Sequence, residues 1–509
     1  MAYMANGGVP MSKKVLIIGA GIAGLSAGSY LQRNGYDVEI FEMHSQPGGV
    51  CTAWKRGDYT IDYCIHWLMG TKPDTGFDIL WDELGAFKNQ DGTKMETRNF
   101  EEFTQMEVSN GEELKFYADA DRFGEELRRL APEDTKLVDD LVDDLKYIAK
   151  FRIPVAKEKQ NPLQKVTHFL SNLGVFRRYL RHLRTPIGEY ANKWKSTQVK
   201  EAFRSVIPPD WSLASLTMGL AMQHTKAAGY PVGGSLQFAL NIERGFLKLG
   251  GKINYSSPVN EIIVKDNSAV GIKLKSGEEI DGDNIVSAAD GHSTLFDMLG
   301  GRYITPRLKQ VYDSFPLFPS SVFIGIGVNR DLSHLPNSTY IRTDPPFVLP
   351  DESTHSHLST TVYNFDPTLA PEGKTTVTVI LHTWNDSYWS ELASSDRAKY
   401  NATKDQIGTQ VLEAVGRRFP DIKDSAEVID VSTPHTVKRY TNNWRGSFEG
   451  FAATPMTLIT RLPKAVPGLR NCYMIGQWTT PGGGIPTAAL DGRNIAIDLC
   501  KKDKKRFTP

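Results

Sequence analysis

Three glycines near the N-terminus constrain this chain more than any other feature. Gly19, Gly21 and Gly24 stand at GxGxxG spacing, after the β-branched run Val15-Leu16-Ile17-Ile18 and at the start of the small-residue stretch Ala23 to Leu31. The run reads as a buried parallel strand and the stretch as a helix. The glycines permit a tight turn and let bare backbone approach a pyrophosphate. The helix start offers unpaired amides and partial positive charge to the same group. Gly28 lets that helix sit close to the sheet. Tyr36 to Phe41 reads as the second strand, and Glu42 ends it, 23 residues after Gly19. A carboxylate there can accept hydrogen bonds from both hydroxyls of an adenosine ribose and repels a 2′-phosphate. GxGxxG spacing alone says little; between a strand and a helix, with the acid at this distance, it specifies a dinucleotide site. Gly19, Ala20, Gly21, Ile22, Ala23, Gly24, Glu42 and Met43 are its expected residues.

The next glycines narrow the ligand. Pro47-Gly48-Gly49-Val50 follows Glu42 closely. It resembles the second glycine pair of large two-dinucleotide-binding flavoproteins, where the pair lies beside the pyrophosphate and leads toward the flavin. The resemblance makes FAD the expected cofactor, with Gly48, Gly49 and Val50 against it. Far along the chain, Asn471-Cys-Tyr-Met-Ile reads as a short buried strand ending at Gly476-Gln477. Thr480-Pro-Gly-Gly-Gly-Ile-Pro then opens a helix that runs through Cys500. Pro486 sits near the first helical turn, where a proline forfeits no helical hydrogen bond. The start of this helix can stabilise negative charge on a reduced flavin. Gly476, Gln477, Gly484, Ile485, Pro486 and Ala489 are therefore expected to meet the same ligand. Both ends of the sequence then belong to one domain, and the middle is inserted into it.

Further blocks appear in a fixed order: Tyr230-Pro-Val-Gly-Gly-Ser, Gly250-Gly-Lys-Ile-Asn-Tyr-Ser-Ser-Pro-Val-Asn-Glu-Ile, Ser287-Ala-Ala-Asp-Gly-His and Gly476-Gln-Trp-Thr-Thr-Pro-Gly-Gly-Gly-Ile-Pro. With the N-terminal block they resemble the phytoene desaturase family of carotenoid desaturases, carotenoid cis-trans isomerases and retinol saturases, over nearly the whole chain. The resemblance implies an α/β fold: a Rossmann-like FAD domain with an inserted α+β substrate domain and a helical, membrane-facing subdomain. It also implies a long apolar polyene or lipid substrate, and places the Val259 backbone at the adenine. Gln477 departs from the pattern, which often has an acid there; an amide can still bond a ribityl hydroxyl or a water.

With 509 residues the chain exceeds one compact core. The expected division is residues 12–110, 230–300 and 465–503 for the FAD domain, 111–229 for the helical part, and 301–464 for a substrate domain. In the last, Ser320 to Val328, His357 to Tyr363 and Thr375 to Trp384 read as an antiparallel sheet. Residues 252–264, 269–274 and 284–288 read as strands of the FAD domain. Lys+Arg and Asp+Glu are 59 each, so no net field favours nucleic acid. Residues 151–195 are locally basic, with Lys157, Lys159, Lys165, Arg177, Arg178, Arg181, Arg184, Lys193 and Lys195 interleaved with Phe169, Leu170, Leu173, Phe176 and Leu180. Such a stretch can lie on an anionic membrane surface, or be a solvated helix face. The four cysteines, Cys51, Cys64, Cys472 and Cys500, lack disulfide or zinc spacing and read as reduced thiols. No signal-peptide or transmembrane pattern is present, and residues 1–10 read as an extension before Met11. A cytoplasmic chain, peripheral on a membrane at most, is expected.

A bound flavin carries hydride chemistry, and the protein orients it and excludes water. Desaturase, saturase and redox-neutral isomerase can share these motifs. His66, where the chain approaches the ring, is the first choice for a proton-transfer residue, and Tyr230 the second. Asp62, His224 and Lys226 are weaker choices. His355 and His357 lack a third ligand, so no metal is expected. Amine oxidation, or a lipid-binding flavoprotein without turnover, stay open beside the C–C chemistry.

Overall fold

The structure is a computed structural model that describes residues 12–152, 155 and 173–509. Its centre is a five-stranded parallel sheet in the order Cys472–Met474, Asn284–Ser287, Lys14–Ile18, Asp37–Phe41, Lys252–Asn254. Alternation along the first strand assigns each face. Val15 and Ile17 pack beneath the helices Ile22–Arg33, Gly234–Lys248 and Ile485–Lys502 with Leu25, Phe246 and Leu499. Leu16 and Ile18 pack on the opposite face against Ile262 and Ile272. Those two belong to a separate antiparallel meander, Val259–Lys265, Ser268–Leu274 and Glu279–Asp281. The single strand expected over 252–264 is thus two. Ser256 turns the chain at positive φ between them, and Pro258 has no N–H to extend a ladder.

The second sheet has seven strands in the order Ala426–Ser432, Ser320–Val328, Thr375–Thr383, Thr354–Val362, Ser338–Val348, Glu102–Glu107, Glu113–Tyr117. Only the Ser338–Val348 to Glu102–Glu107 pair is parallel. Residues 102–107 therefore extend the large sheet, although the sequence places everything up to 110 in the dinucleotide unit. The period-2 rule divides this sheet's faces too. Val322, Ile324, Ile326 and Val328 pack under the helices Asp386–Ser395 and Arg397–Arg418, while Phe323 joins Ile61 and Tyr63 on the other face.

A helical layer closes the molecule: Ala120–Leu130, Thr135–Ile148, Leu173–Arg184, Ile187–Ala191, Thr197–Val206 and Leu213–His224. Phe123, Leu127, Leu141, Leu145, Phe203 and Leu216 form its core, shared with Met106 and Phe116 of the sheet. Lys157, Lys159, Lys165, Phe169 and Leu170 of the basic stretch lie outside the described residues. Within it, Arg178, Arg181 and His182 converge on the buried Asp144. Two of the expected surface cations are thus engaged with the protein itself. Among the described residues, no helix is long and apolar enough to cross a membrane.

Candidate functional site

The first glycine turn is built by close approach. A Cβ on Gly24 would lie 2.0 Å from the Gly19 carbonyl oxygen, so the helix can begin here only without a side chain. The second glycine pair is tied to this turn: the Gly48 N–H donates to the Ala20 carbonyl at 2.9 Å. Gly48 has φ +109°, and a Cβ on it would lie 2.2 Å from the Cys51 carbonyl oxygen. The far end of the chain docks onto the same place. Ser26 Oγ donates to the Ala489 carbonyl at 2.7 Å, and a Cβ on Gly476 would stand 3.3 Å from Ala23 Cβ.

These segments surround a cleft of about 330 Å³. Of the residues expected at the cofactor, Gly19, Gly21, Ile22, Ala23, Glu42, Met43, Gly48, Gly49, Val50, Val259, Gly476, Gln477, Gly484 and Ile485 line it. Ala20, Gly24, Pro486 and Ala489 stand behind the wall and shape it. Ala20 does so through its N–H, which donates to Glu42 Oε2 at 2.7 Å. The His44 N–H donates to Oε1 at 2.8 Å. Burial pushes the Glu42 carboxyl up, and the backbone amides around it oppose that shift. Each of its oxygens keeps a lone pair for a ribose hydroxyl. A glycine-walled cleft with an acid at one end and a helix start at the other fits a flavin dinucleotide.

The cleft adjoins another cavity. Cys64 and Phe448 line both the cleft and this second cavity of about 260 Å³. This chamber has the large sheet as its floor, through Ser321, Phe323, Tyr340 and Ile380, and Trp67, Phe100 and Phe103 as further walls. None of its lining residues is Asp, Glu, Lys or Arg. Burial disfavours the charged form of both its histidines. Loss of water lowers His66, and pushes His382 down to about 4 with help from nearby imidazoles. His66 Nε2 is buried and finds no hydrogen-bond partner among the described residues.

The structure does not bring the other expected proton-transfer residues to this junction. Tyr230 lines neither cavity; its hydroxyl donates to Asp366 at 2.8 Å, and burial raises it. Asp62 is buried under Ser235, whose N–H and Oγ both donate to it at 2.6 Å. His224 accepts from the Ala120 N–H at 3.2 Å, at the start of a helix, and Lys226 lies in the turn beyond. His357 Nε2 meets the Glu107 carbonyl at 2.8 Å, away from the cleft. Conversely, Asp290 and the Phe448-Glu449 pair line the cleft and were not singled out from the sequence. Only Asp290 had a signal, its place in the Ser287 to His292 block.

Comparison with known proteins places this geometry. The family model described as flavin containing amine oxidoreductase matches residues 22–500. The chain is 24% identical to a chloroplastic prolycopene isomerase of Daucus carota, over 96% of this chain and 81% of that one. It is 23% identical to a 4,4′-diapophytoene desaturase (4,4′-diapolycopene-forming) of Methylomonas sp, over 97% of each. Against an all-trans-retinol 13,14-reductase of Homo sapiens it is 23% identical, over 99% of this chain and 89% of that one. Among solved structures, an oxidoreductase from Methanosarcina mazei superposes with a TM-score of 0.62 at 15% identity, covering 95% of this chain and 99% of that one. A putrescine oxidase variant reaches 0.61 at 14% identity, over 97% and 99%. The family match runs from the start of the first helix to the terminal helix that closes the same cleft, and the chain belongs to the flavin containing amine oxidoreductase family.

Proposed function

We propose that this protein is an FAD-dependent oxidoreductase, in the broad sense that includes a redox-neutral isomerase, acting on carbon–carbon double bonds of a long apolar polyene, retinoid or lipid. The observation that carries the proposal is the junction at Cys64 and Phe448, where a dinucleotide cleft adjoins an aromatic chamber without a charged lining residue. When bound, the flavin supplies hydride acceptance or donation. The chain's own residues do the rest. Glu42 holds the ribose, and the Gly48-Gly49 backbone and the Gly21 helix start hold the pyrophosphate. Gly484 and Ile485 present a helix start to the pyrimidine edge. The chamber holds the polyene and excludes water. The names of the curated relatives support this substrate class.

Amine oxidation is disfavoured by the same chamber. A protonated amine inside it would lose its hydration without meeting a carboxylate of the chamber wall, which costs several kcal/mol; Glu449 lines the cofactor cleft and not the chamber. The direct test is anaerobic incubation with carotenoid, retinoid, unsaturated fatty-acyl and amine panels, following product mass and flavin spectrum together. A polyene that changes mass or isomer composition is the expected result; flavin reduction by amines alone overturns the proposal. For the cofactor, Glu42→Arg removes a charged hydroxyl acceptor contributing about 1.5–3 kcal/mol, so FAD affinity should fall about tenfold or more. Fluorescence titration of apoprotein with FAD measures this, and unchanged affinity contradicts the ribose role.

We further propose that the exposed face of Leu173–Arg184, with Phe176, Arg177 and Arg184, meets an anionic membrane surface. Phe176→Glu combined with Arg177→Glu and Arg184→Glu should abolish cosedimentation with phosphatidylserine vesicles. These positions leave the Asp144 cluster intact, so a loss reports on the surface alone.

A further inference from the structure

Besides Glu42, two carboxyl groups stand on the cleft wall, the buried Asp290 and the half-buried Glu449, and their surroundings differ. Asp290 accepts the Ser293 N–H at 2.6 Å and the Trp444 N–H at 2.8 Å, so it organises two chain segments. Glu449 has no such employment. No described residue donates a hydrogen bond to its carboxyl or pairs with its charge, yet burial away from water pushes it up to about 7. Its remaining exposure is to the cleft that it lines. Its position is fixed from two sides. A Cβ on Gly483 would lie 3.0 Å from Glu449 Cβ and 3.4 Å from Oε2, which places the acid against the glycine loop before the terminal helix. On the other side, its charge is felt by Cys64, which lines both cavities, and its chain neighbour Phe448 does the same.

Glu42, Cys51, Cys64, Lys275, Asp290 and Tyr440 are the other titratable groups of the cleft wall. None of them accounts for the state of Glu449, whose shift has desolvation as its cause. The chamber itself offers neutral imidazoles, thiol and phenols. A half-buried carboxyl without a partner among the described residues, set beside the junction of the two cavities, is placed to find its partner in the ligands.

Resting on the function proposed above, we propose that Glu449 is the catalytic acid–base that exchanges the proton accompanying hydride transfer at this junction. In the desaturating direction, a CH–CH unit of the substrate gives a hydride, with both electrons, to the flavin and a proton to the Glu449 carboxylate. A C=C bond and a neutral carboxylic acid result. In the saturating direction a hydride from the reduced flavin and the carboxyl proton add to the two carbons. A group poised near neutrality serves both directions.

The test uses holoprotein and begins without substrate. Placing negative charge on the flavin should draw a proton onto Glu449. The flavin midpoint potential of the wild type, plotted against pH, should then change slope near neutrality, and Glu449→Gln should remove that change. Glu449→Gln should also slow single-turnover conversion of an accepted polyene about 100-fold, the lower end for lost acid–base catalysis, with little change in KM. His66→Gln, by contrast, should keep the slope change. An identical slope change and an unchanged rate in Glu449→Gln overturn the proposal. Should that variant fail to fold, infrared difference spectra of the wild type decide. A protonated-carboxyl stretch appearing on flavin reduction supports the assignment, and its absence overturns it. A wild type that converts no member of the panel removes the polyene reading, while the potential plot still decides Glu449.

Discussion

Gly24→Ala will yield a protein that cannot retain flavin and that unfolds well below the wild type. The added methyl would stand 2.0 Å from the Gly19 carbonyl oxygen and 3.3 Å from Ala288 Cβ. The first obstacle is backbone, so no rotamer relieves it. Either the helix Ile22–Arg33 lifts from the turn or the turn opens, and both widen the cleft where the pyrophosphate would sit. Overpacking in a well-packed interior costs about 1–3 kcal/mol and occasionally more. A backbone clash at this separation belongs at or beyond the upper end. Calorimetry and the flavin absorbance of purified protein measure the two effects. A yellow Gly24→Ala protein with wild-type Tm would show that the turn is more plastic than its geometry implies.

Arg493→Leu carries the second large effect, about 3–5 kcal/mol of lost stability. Arg493 is fully buried, and its Nε donates to Glu83 Oε2 at 2.8 Å. The Tyr30 hydroxyl donates to the same carboxylate at 2.7 Å, and the guanidinium also lies against the Tyr30 and Phe507 rings. Three separate segments meet here: the first helix, the helix Phe77–Leu84 and the terminal helix. Removing the guanidinium takes a buried counter-charge away from the partly buried Glu83 carboxylate, and that penalty, more than the lost pair, sets the magnitude. The double variant Arg493→Leu with Glu83→Leu should therefore recover much of the loss. Urea unfolding of the two variants checks the sign. A double variant no better than the single one would place the energy in packing around the rings.

The ends of the chain were legible because their chemistry is local. Glycine spacing, a β-branched run and an acid at the right distance lie within a few dozen residues, and each has a conformational cause. The Ser320–Val328 strand was legible for the same reason, since its apolar run declares itself. Ser338–Val348 was not, because Pro345 and Pro346 interrupt the ladder and the register shifts between Arg342 and Phe347. Tyr230 shows the limit at the site. It was the second choice for proton transfer, but its partner Asp366 is 136 residues away and was invisible in the pattern. Glu449 failed in the opposite way. Nothing beside it in sequence marks a carboxyl for desolvation; the glycine loop and Cys64 that enclose it come from opposite ends of the chain.

Closure by distant segments also orders events in time. Ser26 and Ala489, hydrogen-bonded across the first and terminal helices, are 463 residues apart. At about 5–20 residues per second, the second is synthesised on the order of 20–90 s after the first. Throughout that interval the small-residue face of Ile22–Arg33 that the terminal helix covers lies bare, and the cleft lacks the wall that Gly484, Ile485 and Ala488 supply. Flavin capture is then a late step in the birth of the molecule, and the nascent chain's exposed apolar face is a natural client for a chaperone until the terminal helix arrives.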